Sequence, residues 1–238
     1  GLNKNSLMGR NIGVFVGMNA NDFAELGEAK SFTGMFAATG SHVALLSNRV
    51  SFALGLTGPS ITVNTACSSA LVALEIAMMN LRLKKCSEAL VAGINVLISP
   101  SAFVVASKAG MISPSGRCAT FDSLADGYAR GEGVGAVAVK LLKDAEASGD
   151  QIFGIIRGAA VNQDGKSASL TAPSGLAQRN VISSALRDAR IHPSEIDYIE
   201  CHGTGTSLGD PVEFGALKAV LSVNRISPVV LGAVKTNI

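Results

Sequence analysis

Cys67 and His202 are the two side chains whose surroundings in the sequence suit covalent and proton chemistry. Cys67 follows a short β-branched run and a tight turn, and it opens the apolar stretch CSSALVAL. A thiol at the head of a helix faces unsatisfied backbone N–H groups and the positive end of the helix dipole. Both favour the thiolate, which is the nucleophilic form. The helix predicted from Cys67 is apolar nearly all round, so burial is expected, with the sulfur at the bottom of a dry pocket. The same local pattern also suits a structural cysteine at a strand–helix turn. His202 stands at the tip of a predicted strand, ahead of the Gly/Thr loop in HGTGTSLGDPVE. Glycines there let backbone approach a ligand closely. Further on, Asp210, Pro211 and Glu213 spell a helix start, with Asp210 as N-cap, Pro211 at the first helical position and Glu213 closing a capping box. His42 and His192 read as surface residues.

The elements that must position these residues alternate along the chain. Strands are predicted at 11–17, 61–65, 88–97, 134–142, 152–161, 196–201 and 229–234. Helices are predicted at 41–54, 67–83, 100–109, 174–191 and from 211 to about 224. The stretch 113–133 reads as a long polar loop, and 144–150 (DAEASGD) as the junction between two halves. Strands alternating with helices define an α/β protein. Apolar runs without polar alternation indicate strands covered on both faces. Gly131, Gly133 and Gly135 precede a strand and do not lead from a strand into a helix, so they are no dinucleotide fingerprint.

Composition excludes several classes. A net charge of +2 without any Lys/Arg run gives no case for nucleic acid. The charge-free stretches 51–74 and 89–107 are broken by Gly, Pro and Asn, and a membrane span needs about 20 mainly apolar residues. Both are therefore read as core. Cys67, Cys86, Cys118 and Cys201 have no metal-ligand spacing, and reduced thiols are expected. No leader is visible ahead of Gly1, so a cytoplasmic location is expected, with an organellar one open if a leader preceded it.

The segments GLTGPSITVNTACSSALVAL (55–74) and HGTGTSLGDPVE (202–213) resemble the β-ketoacyl synthases. With NQDG (162–165), LTAP (170–173) and ADGYARGEG (125–133), the resemblance is to ketosynthase domains of type I polyketide synthases. It implies a thiolase-like, layered α-β-α-β-α architecture from two similar halves. The N-terminal half would be 1–145 and the start of an incomplete C-terminal half 151–238. It implies that Cys67 carries an acyl chain. His202 would then stabilise the enolate formed when a malonyl-type thioester loses carbon dioxide. Lys235, Asp210, Glu213, Thr204 and Thr206 are implied as supporting residues. No metal and no cofactor are implied, because the phosphopantetheine arm belongs to the acyl carrier protein.

Implied partners are that carrier, an acyltransferase and other domains of the same synthase, and a second copy in a homodimer meeting near the strand before Cys67. Asn64 stands where the family has an acid, and Cys201 where it usually has Ala. The family motif beginning at Lys235 would place a second catalytic histidine two residues past Ile238. The 238 residues alone are therefore expected to be inactive in condensation and to expose apolar surface. Alternatives are a fatty acid ketosynthase, a non-condensing ketosynthase-like partner and a Cys-dependent hydrolase.

Overall fold

The computed structural model describes residues 3–29, 33–223 and 225–238. In chain order its elements run α1 (Lys4–Leu7), β1 (Ile12–Met18), α2 (Asp22–Ala29), α3 (Ala37–Ser41), α4 (Leu45–Leu54), β2 (Ser60–Val63), α5 (Ser69–Arg82) and β3 (Glu88–Asn95). They continue with α6 (Ser101–Lys108), β4 (Gly133–Lys140), α7 (Leu142–Ala147), α8 (Gly175–Ala189), β5 (Tyr198–Glu200), α9 (Gly209–Leu221) and β6 (Val230–Gly232). The chain packs as two units, one of Gly1–Pro100 with Gly131–Ile155, the other of Ser101–Arg130 with Ile156–Ile238.

The first unit is built on a four-stranded sheet in the order β2-β1-β3-β4. The β1 strand pairs in parallel with both β2 and β3, and β4 runs antiparallel to β3. Every residue of β1 is buried, as its unbroken apolar sequence predicts for a central strand. Phe15 is fully enclosed, and Ala73, Ala77 and Leu81 of α5 pack with it around Ala89 and Val91. Small residues on α5 permit this close approach. Gly17 on β1 does the same from below, since a Cβ there would sit 2.4 Å from the Ala70 backbone N. At the mouth of β3, Glu88 pairs with Arg10 at 2.7 Å and with its cross-strand neighbour Lys140 at 3.2 Å.

The second unit holds the parallel pair β5-β6. Its core joins Cys201, Leu217 and Leu221 to Ile182 and Leu186 of α8 and to Ile199 and Leu231 of the strands. The Ser174 hydroxyl caps α8 by accepting the Ala177 N–H at 3.2 Å.

Several expected elements differ. The helix expected over 41–54 starts at Leu45, with His42 in the turn after α3. Part of the expected junction at 144–150 is helical, because α7 runs to Ala147. No strand forms at 152–161: Phe153 is 91% exposed, and among the described residues no strand pairs with this stretch. An apolar run becomes a strand only when a neighbour takes its hydrogen bonds. Residues 157–159 are instead tied to the end of α8, with the Ala159 N–H donating to Asp188 at 3.0 Å. The β4 strand, expected to be covered on both faces, leaves Val134 and Val137 exposed. The α9 helix ends at Leu221, and the end expected near Asn224 lies outside the described residues.

Candidate active site

Cys67 sits in the turn between β2 and α5, two residues ahead of the first helical residue, Ser69. Ala66 just before it has φ +56°, the left-handed region that costs a residue with a Cβ. The turn is held by its own side chains. The Ser69 hydroxyl accepts the Thr65 N–H at 2.8 Å and lies 2.9 Å from the Met18 carbonyl that it can donate to. The Ser68 hydroxyl donates back to the Thr65 carbonyl at 2.9 Å. Ser69 is buried beneath this turn, whereas Cys67 is exposed. That corrects the expectation of a thiol in a dry pocket. Burial along α5 begins at Ser69 and falls on Ala73, Ala77, Met78 and Leu81, while Leu71 on another face stays exposed.

His202 belongs to the second unit, directly after β5. Its ring is exposed, but its backbone is tied down. Glu213 accepts the His202 N–H at 2.6 Å and the Gly203 N–H at 2.9 Å, one on each carboxylate oxygen. Asp210, 3% exposed, accepts the Gly205 N–H at 3.2 Å and the Thr206 N–H at 3.3 Å on one oxygen and the Phe121 N–H at 2.8 Å on the other. The capping box predicted from Asp210 and Glu213 therefore does not form. Asp210 is the second residue of α9, and the Thr206 hydroxyl accepts the Gly209 N–H at 3.2 Å in its place. A glycine-rich loop exposes many backbone donors, and the two acids satisfy them.

The loop at 118–128 is the other wall of this arrangement. The Thr120 hydroxyl donates to the Gly203 carbonyl at 2.5 Å, and the Gly127 N–H donates to the Gly205 carbonyl at 3.0 Å. A Cβ on Gly205, whose φ is +74°, would lie 2.6 Å from the Ala119 backbone N. The Thr204 and Thr206 hydroxyls are 3.4 Å apart. Beside them, Cys201 is buried, and its thiol is pushed up to about 11, first by burial and then by the nearby carboxylates, Glu213 foremost. It is neutral and unreactive at ordinary pH.

Lys235 lies in the 3-10 turn Val234–Thr236 after β6. Glu200, two residues before His202, accepts the Val234 N–H at 2.7 Å and takes a very short hydrogen bond from Tyr198. Those bonds, with the Lys235 charge, hold the Glu200 carboxyl below its usual range. Sequence reasoning missed this tie from Glu200 to the Lys235 turn, although an acid in step with His202 on a strand is a signal for it. Nothing in the sequence marks the left-handed Ala66, because alanine carries no turn preference.

Of the candidate residues, His202, Thr204, Thr206, Asp210 and Glu213 are gathered in one loop–helix cluster, with Lys235 on a neighbouring turn of the same unit, and Cys67 lies in the first unit. Among the described residues no group of three or more His, Cys, Asp and Glu side chains could hold a metal ion. No helix among them is long and apolar enough to cross a membrane.

A cysteine turn at the head of a helix and a carboxylate-held histidine loop stand on two sheets, one mixed and one parallel. The chain belongs to the β-ketoacyl synthase family. Its residues 1–145 match the β-ketoacyl synthase N-terminal domain, and residues 153–238 match the C-terminal domain.

It is similar to one of the phenolphthiocerol/phthiocerol polyketide synthase polypeptides of Mycobacterium tuberculosis, with 45% identity over 95% of this chain and 12% of the relative. Against another polypeptide of the same mycobacterial synthase the identity is 44% over the whole chain, and 16% of that relative is covered. Among solved structures it superposes on the ketosynthase from module 6 of the bacillaene synthase of Bacillus subtilis, with a TM-score of 0.91 and 38% identity. That match covers 99% of this chain and 41% of the other. An oxazolomycin ketosynthase domain from Streptomyces albus gives 0.90 and 39%, covering 96% and 41%. The mixed α/β fold is thus the thiolase-like ketosynthase fold, and the chain spans well under half the length of the relatives it matches.

Proposed function

We propose that these residues form part of the condensing centre of a polyketide synthase, with Cys67 as the acyl carrier and His202 as the residue that serves decarboxylation. The observation that carries this reading is the exposed Cys67, presented by a left-handed Ala66 at the head of α5. In this reading the 1–145 half supplies the nucleophile and the 151–238 half supplies the histidine.

The chemistry runs in two stages. The Cys67 thiolate attacks the carbonyl of an acyl thioester on a carrier protein. A new C–S bond forms, the carrier's C–S bond breaks, and the carrier thiolate leaves and takes a proton. A malonyl-type thioester then loses its carboxylate as carbon dioxide, and the electrons of the broken C–C bond become an enolate. A ring N–H of His202 donates a hydrogen bond to the thioester oxygen where that charge develops. Such donors are worth a few kcal/mol each. The enolate carbon attacks the acyl-Cys67 carbonyl, a C–C bond forms, and Cys67 departs as thiolate, leaving a β-ketoacyl thioester.

Glu213 and Asp210 act on this chemistry by fixing the backbone on either side of the loop, and Thr204 and Thr206 by lining it. Lys235 contributes its charge on the adjacent turn. The chemistry needs no metal or resident cofactor, since the phosphopantetheine arm arrives with the carrier. The partners are an acyl carrier protein, an acyltransferase and other domains of the same synthase. A second copy of this domain is a further partner, and its support is that β2 is an edge strand. A cytoplasmic location accords with those partners.

The test is to incubate the intact protein carrying these residues with a mass-tagged acyl-carrier thioester and to map the label by peptide mass spectrometry. Label on Cys67 that disappears in Cys67→Ala is expected. Label that persists in that variant would remove Cys67 as the nucleophile and favour a non-condensing partner role.

A further inference from the structure

We infer that Asn64 is a positioning residue for Cys67, and that this chain requires an amide there because one of its two partners is a carbonyl oxygen. The inference rests on the reading of Cys67 as the nucleophile. Asn64 ends the stretch between β2 and the nucleophile turn. Its side-chain oxygen accepts the Ala66 N–H at 3.1 Å, and its side-chain N–H₂ donates to the Asn19 carbonyl at 2.9 Å. The two partners fix which end of the amide is which, since an N–H must meet an acceptor and a carbonyl must meet a donor.

One of these bonds reaches a strained residue directly, and the other anchors it. Ala66 is held at φ +56°, a conformation that an alanine leaves unless its surroundings oppose it. The Asn64 oxygen grips the Ala66 N–H, and the Asn64 nitrogen moors that grip to the loop after β1, a part of the chain that α5 does not contain. Relaxation of Ala66 would swing the following residue, which is Cys67.

An acid at this position keeps the first bond and loses the second. A carboxylate has no N–H to give, and it would set a negative oxygen against the Asn19 carbonyl. The Asn19 acceptor is a backbone carbonyl, so the requirement for a donor falls on residue 64 itself.

The experiment uses the intact protein with the variants Asn64→Asp, Asn64→Ala, Ala66→Gly and the double variant Asn64→Ala with Ala66→Gly. Two rates are read at Cys67 by mass spectrometry: acylation by propionyl-N-acetylcysteamine and alkylation by iodoacetamide. Asn64→Asp and Asn64→Ala are expected to lower the acylation rate at saturating thioester by about tenfold, with the half-saturating concentration unchanged. In the Ala66→Gly background the Asn64→Ala loss should shrink to about twofold, because glycine takes a positive φ without strain.

Unchanged acylation and alkylation in Asn64→Asp would overturn the inference, as would a loss of the same size in the glycine background. Asn64→Asp keeps the fold-side acceptor, so it remains informative if Asn64→Ala fails to fold. Alkylation separates the two readings. A Cys67 whose alkylation slows in Asn64→Asp and Asn64→Ala but which never takes an acyl group would preserve the positioning and sink the condensing function.

Discussion

Glu213 holds His202 by its backbone: one carboxylate oxygen accepts the His202 N–H at 2.6 Å from a residue on the first turns of α9. The second oxygen takes the Gly203 N–H, so the exposed imidazole is aimed by bonds it does not itself make. Glu213→Gln keeps one acceptor and turns an N–H₂ group against the other N–H. Hydrogen bonds to a charged group are worth about 1.5–3 kcal/mol, so condensation should slow by about tenfold or more. Acylation of Cys67, which in the proposed mechanism does not use His202, should stay within about twofold. Equal loss in both steps would show that Glu213 supports the fold alone.

Asp210 satisfies three backbone N–H groups from within a buried site. Asp210→Asn must present a donor to at least one of them. A buried donor left without a partner costs about 1–3 kcal/mol. The expected result is a lower urea midpoint, with protease cleavage appearing first in the loop at 118–128, which Asp210 ties through Phe121. An unchanged midpoint would contradict the buried three-bond arrangement.

Gly205→Ala meets two penalties together. The position has φ +74°, and the added Cβ would press on the Ala119 backbone at 2.6 Å. Overpacking alone costs about 1–3 kcal/mol. Calorimetry should show a clear fall in Tm, whereas Gly215→Ala, at a helical site where a Cβ meets nothing within 4 Å, should not destabilise. Equal Tm values for the two variants would be inconsistent with this packing.

The cysteines should separate by reactivity. At pH 8 iodoacetamide should label exposed Cys67 first, while Cys86 and Cys201, whose thiols burial pushes up, label only on unfolding. The Cys201 thiol moves from an ordinary 9.0 to about 11 in the folded chain. The folded state thus binds this proton more tightly than the unfolded state does. Its contribution to stability is complete below pH 9 and is lost as pH rises toward 11. Denaturation midpoints should fall across that window and less so in Cys201→Ala, which cannot ionise. A wild-type profile parallel to that of Cys201→Ala would rule this out.

Much of the fold is legible in the sequence because its signals are local. The unbroken apolar run of β1, the small-residue helix after Cys67 and the polar stretch of 113–133 each depend on the properties of a few neighbouring residues. The stretch at 152–161 departs from expectation for the converse reason. Its residues are apolar and β-branched, yet a strand exists only where another strand accepts its bonds, and that pairing lies outside any local window. The place of Cys67 at a strand–helix turn is legible too, but its exposure is not, because burial of the helix face says nothing about a turn two residues upstream.

Asp210 and Glu213 mark the division most clearly. By type and spacing they form a helix start, and the sequence alone established that they sit at the head of a helix beside a histidine loop, in a chain of the β-ketoacyl synthase family. Only the tertiary structure decided what they hold. A capping box needs their carboxylates turned back on α9, but the glycines at 203 and 205 leave backbone N–H groups that no neighbour within the loop can satisfy. Those donors, with the Phe121 N–H brought in by the loop at 118–128, claim the acids instead. Residue type dictates what a side chain can bond, and the fold dictates which unsatisfied partner reaches it.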